Sequence, residues 1–197
     1  MNIDNNNEIK DKESLTIKII GFSNNDIFVK EAGLYNIKLK PTISFWQLSK
    51  FITNLQKISK EEVCDILIND FSIKNNQNAK KYIQQNCLIL SSNCFLNQDL
   101  SVQDNIKIIS IIFTGFDLSN AVISSFNFHK IKNEKIKNLH LSQQNLVILS
   151  YCVACPALIW LVDNQLLDNL SQEEKNLFNN AVKIRIKQGG VVAIISK

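Results

Sequence analysis

Two runs near the end of the chain are apolar at every position: Leu158-Ile-Trp-Leu-Val162 and Val191-Val-Ala-Ile-Ile195. A strand with one wet face alternates apolar and polar residues, so a run without alternation must be covered on both faces. Between the two runs, Gln172 to Lys187 repeats apolar residues at helical spacing. Leu177, Phe178, Ala181, Val182 and Ile186 fall on one face, and Gly189-Gly190 stops the helix. Strand, amphipathic helix, strand is the unit of a parallel sheet with helices packed on it. These segments place the chain in the α/β class, with a mostly parallel central sheet.

The N-terminal half reads differently. Leu15 to Phe22 alternates as a strand, a Ser-Asn-Asn-Asp turn follows, and a second short strand covers about Asp26 to Lys30. Ala32-Gly33 turns into a third strand, Leu34 to Leu39. Close-spaced strands of this kind predict an antiparallel β layer attached to the sheet. Pro41-Thr42 ends the third strand, and Ser44 is placed to cap a helix running through Trp46, Phe51, Ile52 and Leu55. Val63 to Ile68 and Cys87 to Leu90 are strand-like. A helical arm is expected at about 97–139, and a helix from Gln143 to Cys155. The stretch Leu146 to Val162 carries no charge, but a membrane span needs about 20 apolar residues and Pro156 interrupts this one. It therefore reads as a buried helix, a break at Pro156 and a buried strand.

At 197 residues and 45% apolar content the chain suits one domain, expected over 15–197, behind an Asn-rich disordered tail over 1–14. That tail has no apolar core of a secretory signal. The net charge of +4 is mild and dispersed. It leaves no nucleic-acid footprint, and the Lys-rich stretch Lys130–Lys137 is broken by acid and apolar residues, as a solvated helix face or loop would be. Five cysteines without a framework predict free thiols in a reducing compartment. Cys152-Val-Ala-Cys155 has redox spacing but ends a helix inside an apolar run, so it reads as a buried structural pair. His129 and His140 are the only histidines, and both read as lone surface residues.

The last third supports a resemblance. Gln143-Gln144, a helix, Leu158-Ile-Trp-Leu-Val-Asp163, Leu170-Ser-Gln-Glu-Glu, a helix and Gly189-Gly-Val-Val-Ala-Ile-Ile-Ser follow one another as the signature helix, Walker B strand, D-loop region and switch strand of an ATP-binding-cassette ATPase do. Leu100-Ser-Val-Gln-Asp-Asn-Ile resembles the segment after that family's Q-loop. The Trp before Asp163 and the closing Gly-Gly-Val-Val run resemble the ATP-binding subunits of heme exporters in cytochrome c maturation. The resemblance covers about Leu15 to the end. It implies a nucleotide-binding-domain fold with an N-terminal antiparallel β layer and a helical subdomain.

The same resemblance shows what has been replaced. A Walker A loop needs Gly, so that backbone N–H groups can close on phosphate, and a Lys for the β and γ charges. Its position falls on Lys40-Pro-Thr-Ile-Ser-Phe-Trp-Gln47, which has no Gly; Lys40, Thr42, Ser44, Trp46 and Gln47 stand as its degenerate polar and aromatic members. Trp46 or Phe45 takes the Lys position; both are expected to pack into the vacated space, and the Ile43 and Phe45 side chains to stand where phosphate would approach the backbone. The Q-loop position falls near Ser92. The signature retains Ser142 and Gln143 without its Gly. Asp163 keeps the Walker B carboxylate as a remnant metal ligand; its alternative role is to satisfy loop N–H groups at a strand end. Asn164 replaces the catalytic carboxylate, Asp168 is a relic of the D-loop or a turn residue, and Lys197 replaces the switch His.

The implied protein is a noncatalytic subunit without ATP or Mg²⁺ as a cofactor. It would be peripheral to the cytoplasmic or organelle-matrix face of a membrane. Its partners would be an integral membrane transporter subunit and a second cassette chain, identical or not. Two alternatives stay open: a weak ATP binder that completes a composite site with a partner chain, and a scaffold that keeps only the fold.

Overall fold

The computed structural model describes residues 16–54, 64–92, 94 and 96–197. The expected tail over 1–14, Leu55 of the first helix and Val63 of the fourth strand lie outside them.

The described chain builds two four-stranded sheets. One is antiparallel, in the order β2-β1-β4-β5, from β1 (Ile17–Ile20), β2 (Ile27–Val29), β4 (Asp65–Ile68) and β5 (Phe71–Ser72). The other is parallel, in the order β3-β8-β7-β6, from β3 (Gly33–Lys38), β6 (Cys87–Leu90), β7 (Ile159–Asp163) and β8 (Val191–Ser196). Helix α1 (Phe45–Asn54) follows β3, and α2 (Gln77–Asn86) runs directly into β6. The arm folds as α3 (Val102–Thr114), α4 (Ser119–Ser125) and two 3-10 turns. Helix α5 (Leu141–Ala154) returns to the sheet, α6 (Gln165–Asp168) is a single turn, and α7 (Gln172–Lys187) crosses from β7 to β8.

The unbroken apolar runs are explained by the two cores they divide. Along β7, Ile159 and Leu161 face the core shared with the antiparallel sheet, α1 and α2. Trp160 and Val162 face the core shared with α3, α4, α5 and α7. Strand β8 does the same, with Val191, Ala193 and Ile195 on one side and Val192 on the other. Successive side chains on a strand point to opposite faces, so a sheet covered twice must be apolar twice. Each large side chain buried this way stabilises by roughly 1.5–3 kcal/mol.

The arm is tied at its root. Ser101 Oγ accepts from the Asp104 N–H at 3.1 Å and caps α3, while the Val102 and Gln103 N–H groups donate to the carbonyls of Glu134 and Lys132 at 3.0 Å each. Helix α5 ends at Ala154; Cys155 is extended (φ −110°, ψ 127°), as the residue before a proline prefers. The chain is therefore broken at Pro156, as the sequence predicts. No single helix among the described residues is long and apolar enough to cross a membrane.

Candidate functional site

Parallel strands place their C-terminal ends along one edge, and in open α/β sheets that edge is where crevices form. Here it holds a cavity of about 400 Å³. Its lining draws Ser44, Phe45 and Trp46 from the start of α1, and Ser91 and Ser92 from beyond β6. Asp163, Asn164, Gln165 and Asp168 come from the end of β7 and α6, and Ser196 and Lys197 from the end of β8.

The wall at α1 is closed on itself. The Leu39 N–H donates to the Ser196 carbonyl at 2.9 Å, and the Ile43 N–H to the Lys40 carbonyl at 2.9 Å, so Pro41-Thr42 forms a tight turn. Ser44 and Gln47 then make a reciprocal cap. Ser44 Oγ accepts from the Gln47 N–H at 3.2 Å, and Gln47 Oε1 accepts from the Ser44 N–H at 2.7 Å. A helix N-terminus normally offers such donors to an anion; these two are satisfied from within.

Two expectations about this wall are corrected. Trp46 does not fill the space: it is 51% exposed, with the Lys50 ammonium 4.1 Å from its ring centroid. The reason is helical phase. Phe45, Leu48, Phe51 and Ile52 form the buried stripe of α1, and Trp46 lies one step off it. Ile43 does not enter the cavity either, because its side chain is 1% exposed in the core beneath the antiparallel sheet. Of Ile43, Phe45 and Trp46, Phe45 alone is both buried and part of the lining.

At the end of β7, Asp163 Oδ1 accepts from the Gln165 N–H at 3.1 Å. Burial pushes the Asp163 carboxyl above its ordinary range; the Gln165 N–H opposes this, Asp168 adds to it, and Lys197 opposes it less strongly. Asn164 is fixed at both ends. Its N–H donates to the Ile195 carbonyl at 2.9 Å, and its side-chain amide donates to Asp168 Oδ1 at 2.9 Å. An amide cannot take a proton from water, so Asn164 cannot serve as a general base. Lys197 is the one cation among the lining residues.

A divalent magnesium ion needs an octahedron of hard oxygens, ordinarily one or two carboxylates with phosphate and water. Asp163 is already bound to a loop N–H and Asp168 to the Asn164 amide. No cluster of three candidate ligands exists among the described residues. The lining offers two carboxylates, Asp163 and Asp168, each with one oxygen already accepting a hydrogen bond.

The structure thus brings Ser44, Trp46, Asp163, Asn164 and Lys197 together, with Ser92 and Asp168. Lys40, Thr42 and Gln47 stay off the lining, because the turn and the cap direct them elsewhere. Ser142 and Gln143 sit in the first turn of α5, where Gln143 Oε1 accepts from the His140 N–H at 3.1 Å. They too are absent from the lining. Ser91, Gln165 and Ser196 escaped the sequence reading. Each adjoins a residue assigned by position, and that adjacency was the available signal.

No family profile matches the chain. In sequence it is 29% identical over 121 residues to the cytochrome c biogenesis ATP-binding export protein CcmA of Rickettsia bellii, covering 61% of each chain. It is 30% identical over 121 residues to the protein of the same description from Rickettsia conorii, again 61% of each. The chain therefore spans about three-fifths of the length of the curated relatives it matches. In structure it is similar to an ABC-transporter-type ATP-binding protein from Pyrococcus furiosus (TM-score 0.66, 14% identity, 92% of this chain and 91% of that one). It is equally similar to an ATP-binding cassette solved as a dimer after hydrolysis with ADP and Pi (TM-score 0.66, 14% identity, 91% and 87%). The chain has the fold of an ATP-binding-cassette nucleotide-binding domain, and its sequence resembles the cassette subunits of cytochrome c biogenesis.

Proposed function

Starting from the ATP-binding-cassette fold, we propose that this chain is a noncatalytic ATP-binding-type subunit of a membrane transporter, working in heme export or cytochrome c maturation. It would lie peripherally on the cytoplasmic or matrix face and pair with an integral membrane subunit. The named relatives are cytochrome c biogenesis export proteins, which supports the setting. The observation that carries the noncatalytic reading is the reciprocal Ser44–Gln47 cap at the start of α1. Two of the N–H donors at this helix start, those of Ser44 and Gln47, are engaged, and no Lys of the loop lines the cavity. Each charge-assisted phosphate bond contributes roughly 1.5–3 kcal/mol, so losing three moves a micromolar site beyond millimolar.

The geometry favours one alternative. Because Trp46 turns outward, the cavity stays open at about 400 Å³. A second cassette chain could complete a composite site over that opening. Calorimetric titration with Mg-ATP separates the readings: no binding at millimolar nucleotide is expected for the isolated chain, and a micromolar dissociation constant favours the composite site. Turnover should be absent in the wild-type chain and in Asn164→Glu. Turnover that rises with that single change would place the phosphate site elsewhere.

A further inference from the structure

At the opposite end of β7, a second cavity of about 330 Å³ opens between α4, α5 and α7. Its lining is mainly apolar, with Phe126, Cys152, Trp160, Ala181 and Ile184 around one charged side chain, Arg185. That size and composition match small-ligand sites, which run from about 300 Å³ and combine apolar walls with few polar groups.

Arg185 is held rigidly. Its guanidinium donates to the Cys155 carbonyl at 3.0 Å and the Pro156 carbonyl at 3.2 Å, and lies 4.9 Å from the Trp160 ring centroid. Trp160 is fixed in turn by donating its indole N–H to the Ala157 carbonyl at 2.9 Å. Below the guanidinium, Gly190 leaves the room the Arg185 stem occupies.

What Arg185 lacks is an anion. No ion pair reaches it among the described residues, and its Nε is buried without a hydrogen-bond partner. The ionisable groups that act on it are the Cys152 and Cys155 thiols, which burial keeps protonated. A half-buried guanidinium beside an apolar cavity, with two carbonyls and no carboxylate, is charge left uncompensated. Guanidinium geometry suits a carboxylate.

We propose that this cavity binds a small apolar monocarboxylate, its hydrocarbon body against Phe126, Ala181 and Ile184 and its carboxylate on Arg185. The site lies at the other end of the strand from the polar cavity and does not depend on the fate of nucleotide there.

Octanoate and octan-1-ol are the probes, since they share a body and differ in charge. Trp46→Phe leaves Trp160 as the one tryptophan of the two in the chain, so its emission reports on this cavity. Octanoate should shift that emission and give a single-site calorimetric isotherm in the wild-type chain. It should bind at least tenfold more tightly than octan-1-ol, and Arg185→Gln should abolish the preference. Equal affinity for acid and alcohol, an unchanged preference in Arg185→Gln, or no binding of octanoate at millimolar concentration overturns the proposal. If Arg185→Gln fails to fold, the acid and alcohol comparison in the wild-type chain still decides.

Discussion

Strand β7 separates two contrasting regions. At its C-terminal end lies a polar cavity lined by Asp163, Asn164, Asp168 and Lys197. At its N-terminal end Trp160, Arg185, Pro156 and Gly190 are packed so that each fixes the next. The placement of glycine shows the difference. The loop that would grip phosphate has none, whereas Gly189 holds φ +86° after α7 and Gly190 lies under the Arg185 stem. Gly is present where the backbone geometry or the close approach of Arg185 requires it.

The sharpest way to break this contrast is Gly190→Ala. A Cβ there would stand 2.5 Å from Arg185 Cγ and Cδ and 2.9 Å from the Leu158 carbonyl oxygen. The stem can swing away only by giving up the bonds to Cys155 and Pro156, and the carbonyl belongs to backbone leading into β7. A loss of roughly 1–3 kcal/mol is expected in urea unfolding, as for other overpacked sites. A variant as stable as the wild type would mean the N-terminal end is looser than the packing implies.

A second test asks whether the phosphate-side wall is built for folding. Ser44→Ala removes the hydroxyl that accepts from the Gln47 N–H, while the backbone N–H of residue 44 still donates to Gln47 Oε1. Cap removal costs about 1 kcal/mol. If the wall is structural, stability should fall by that amount and Mg-ATP binding should remain absent. If nucleotide binding appears instead, the cap was all that blocked the helix end.

How far the sequence disclosed these regions depended on how strongly burial patterned it. The runs Leu158–Val162 and Val191–Ile195 are covered on both faces, so the parallel sheet was plain, as was the break at Pro156. The antiparallel strand around Ile17–Ile20 was plain from its alternation. Helix α2 was not, because Ala79 and Ile83 are its only buried residues and Lys80, Lys81, Gln84 and Gln85 dominate its pattern. Its clearest mark is Asn76, whose side chain accepts from the Asn78 and Ala79 N–H groups at 2.9 and 3.0 Å. Strand β5 has two residues and follows Asn69 and Asp70 at positive φ, too short a pattern to read. At the cavity, sequence order located Asp163, Asn164 and Lys197, since strand ends are set by the apolar runs before them. It misjudged Trp46 because its direction depends on where α1 begins, a phase the Ser44 cap sets, and Ile43 because the turn closed by its N–H on the Lys40 carbonyl precedes α1 and leaves its side chain in the core.

The smallest expected effect is the most specific to the polar cavity. Burial raises the Asp163 carboxyl in the folded chain, so its ionised form is less favourable there than in the unfolded chain. Below the unfolded value, about 3.9, both states are protonated and the group costs nothing. As pH rises through the raised folded value, the unfolded chain loses its proton more readily, and stability falls until both states are ionised. Asp163→Asn removes this penalty and keeps an oxygen to accept from the Gln165 N–H. The variant should therefore unfold at higher urea than the wild type at pH 7, and the gain should shrink as pH falls toward 3. Asp163 is only partly enclosed, so solvent screening keeps the gain modest. A gain equal at both pH values would trace to packing and not to charge. A loss at pH 7 would mean the Asp163 carboxylate is held by a cation, Lys197 being the one among the lining residues, and would make the pair a contact that ties the end of β7 to the end of β8.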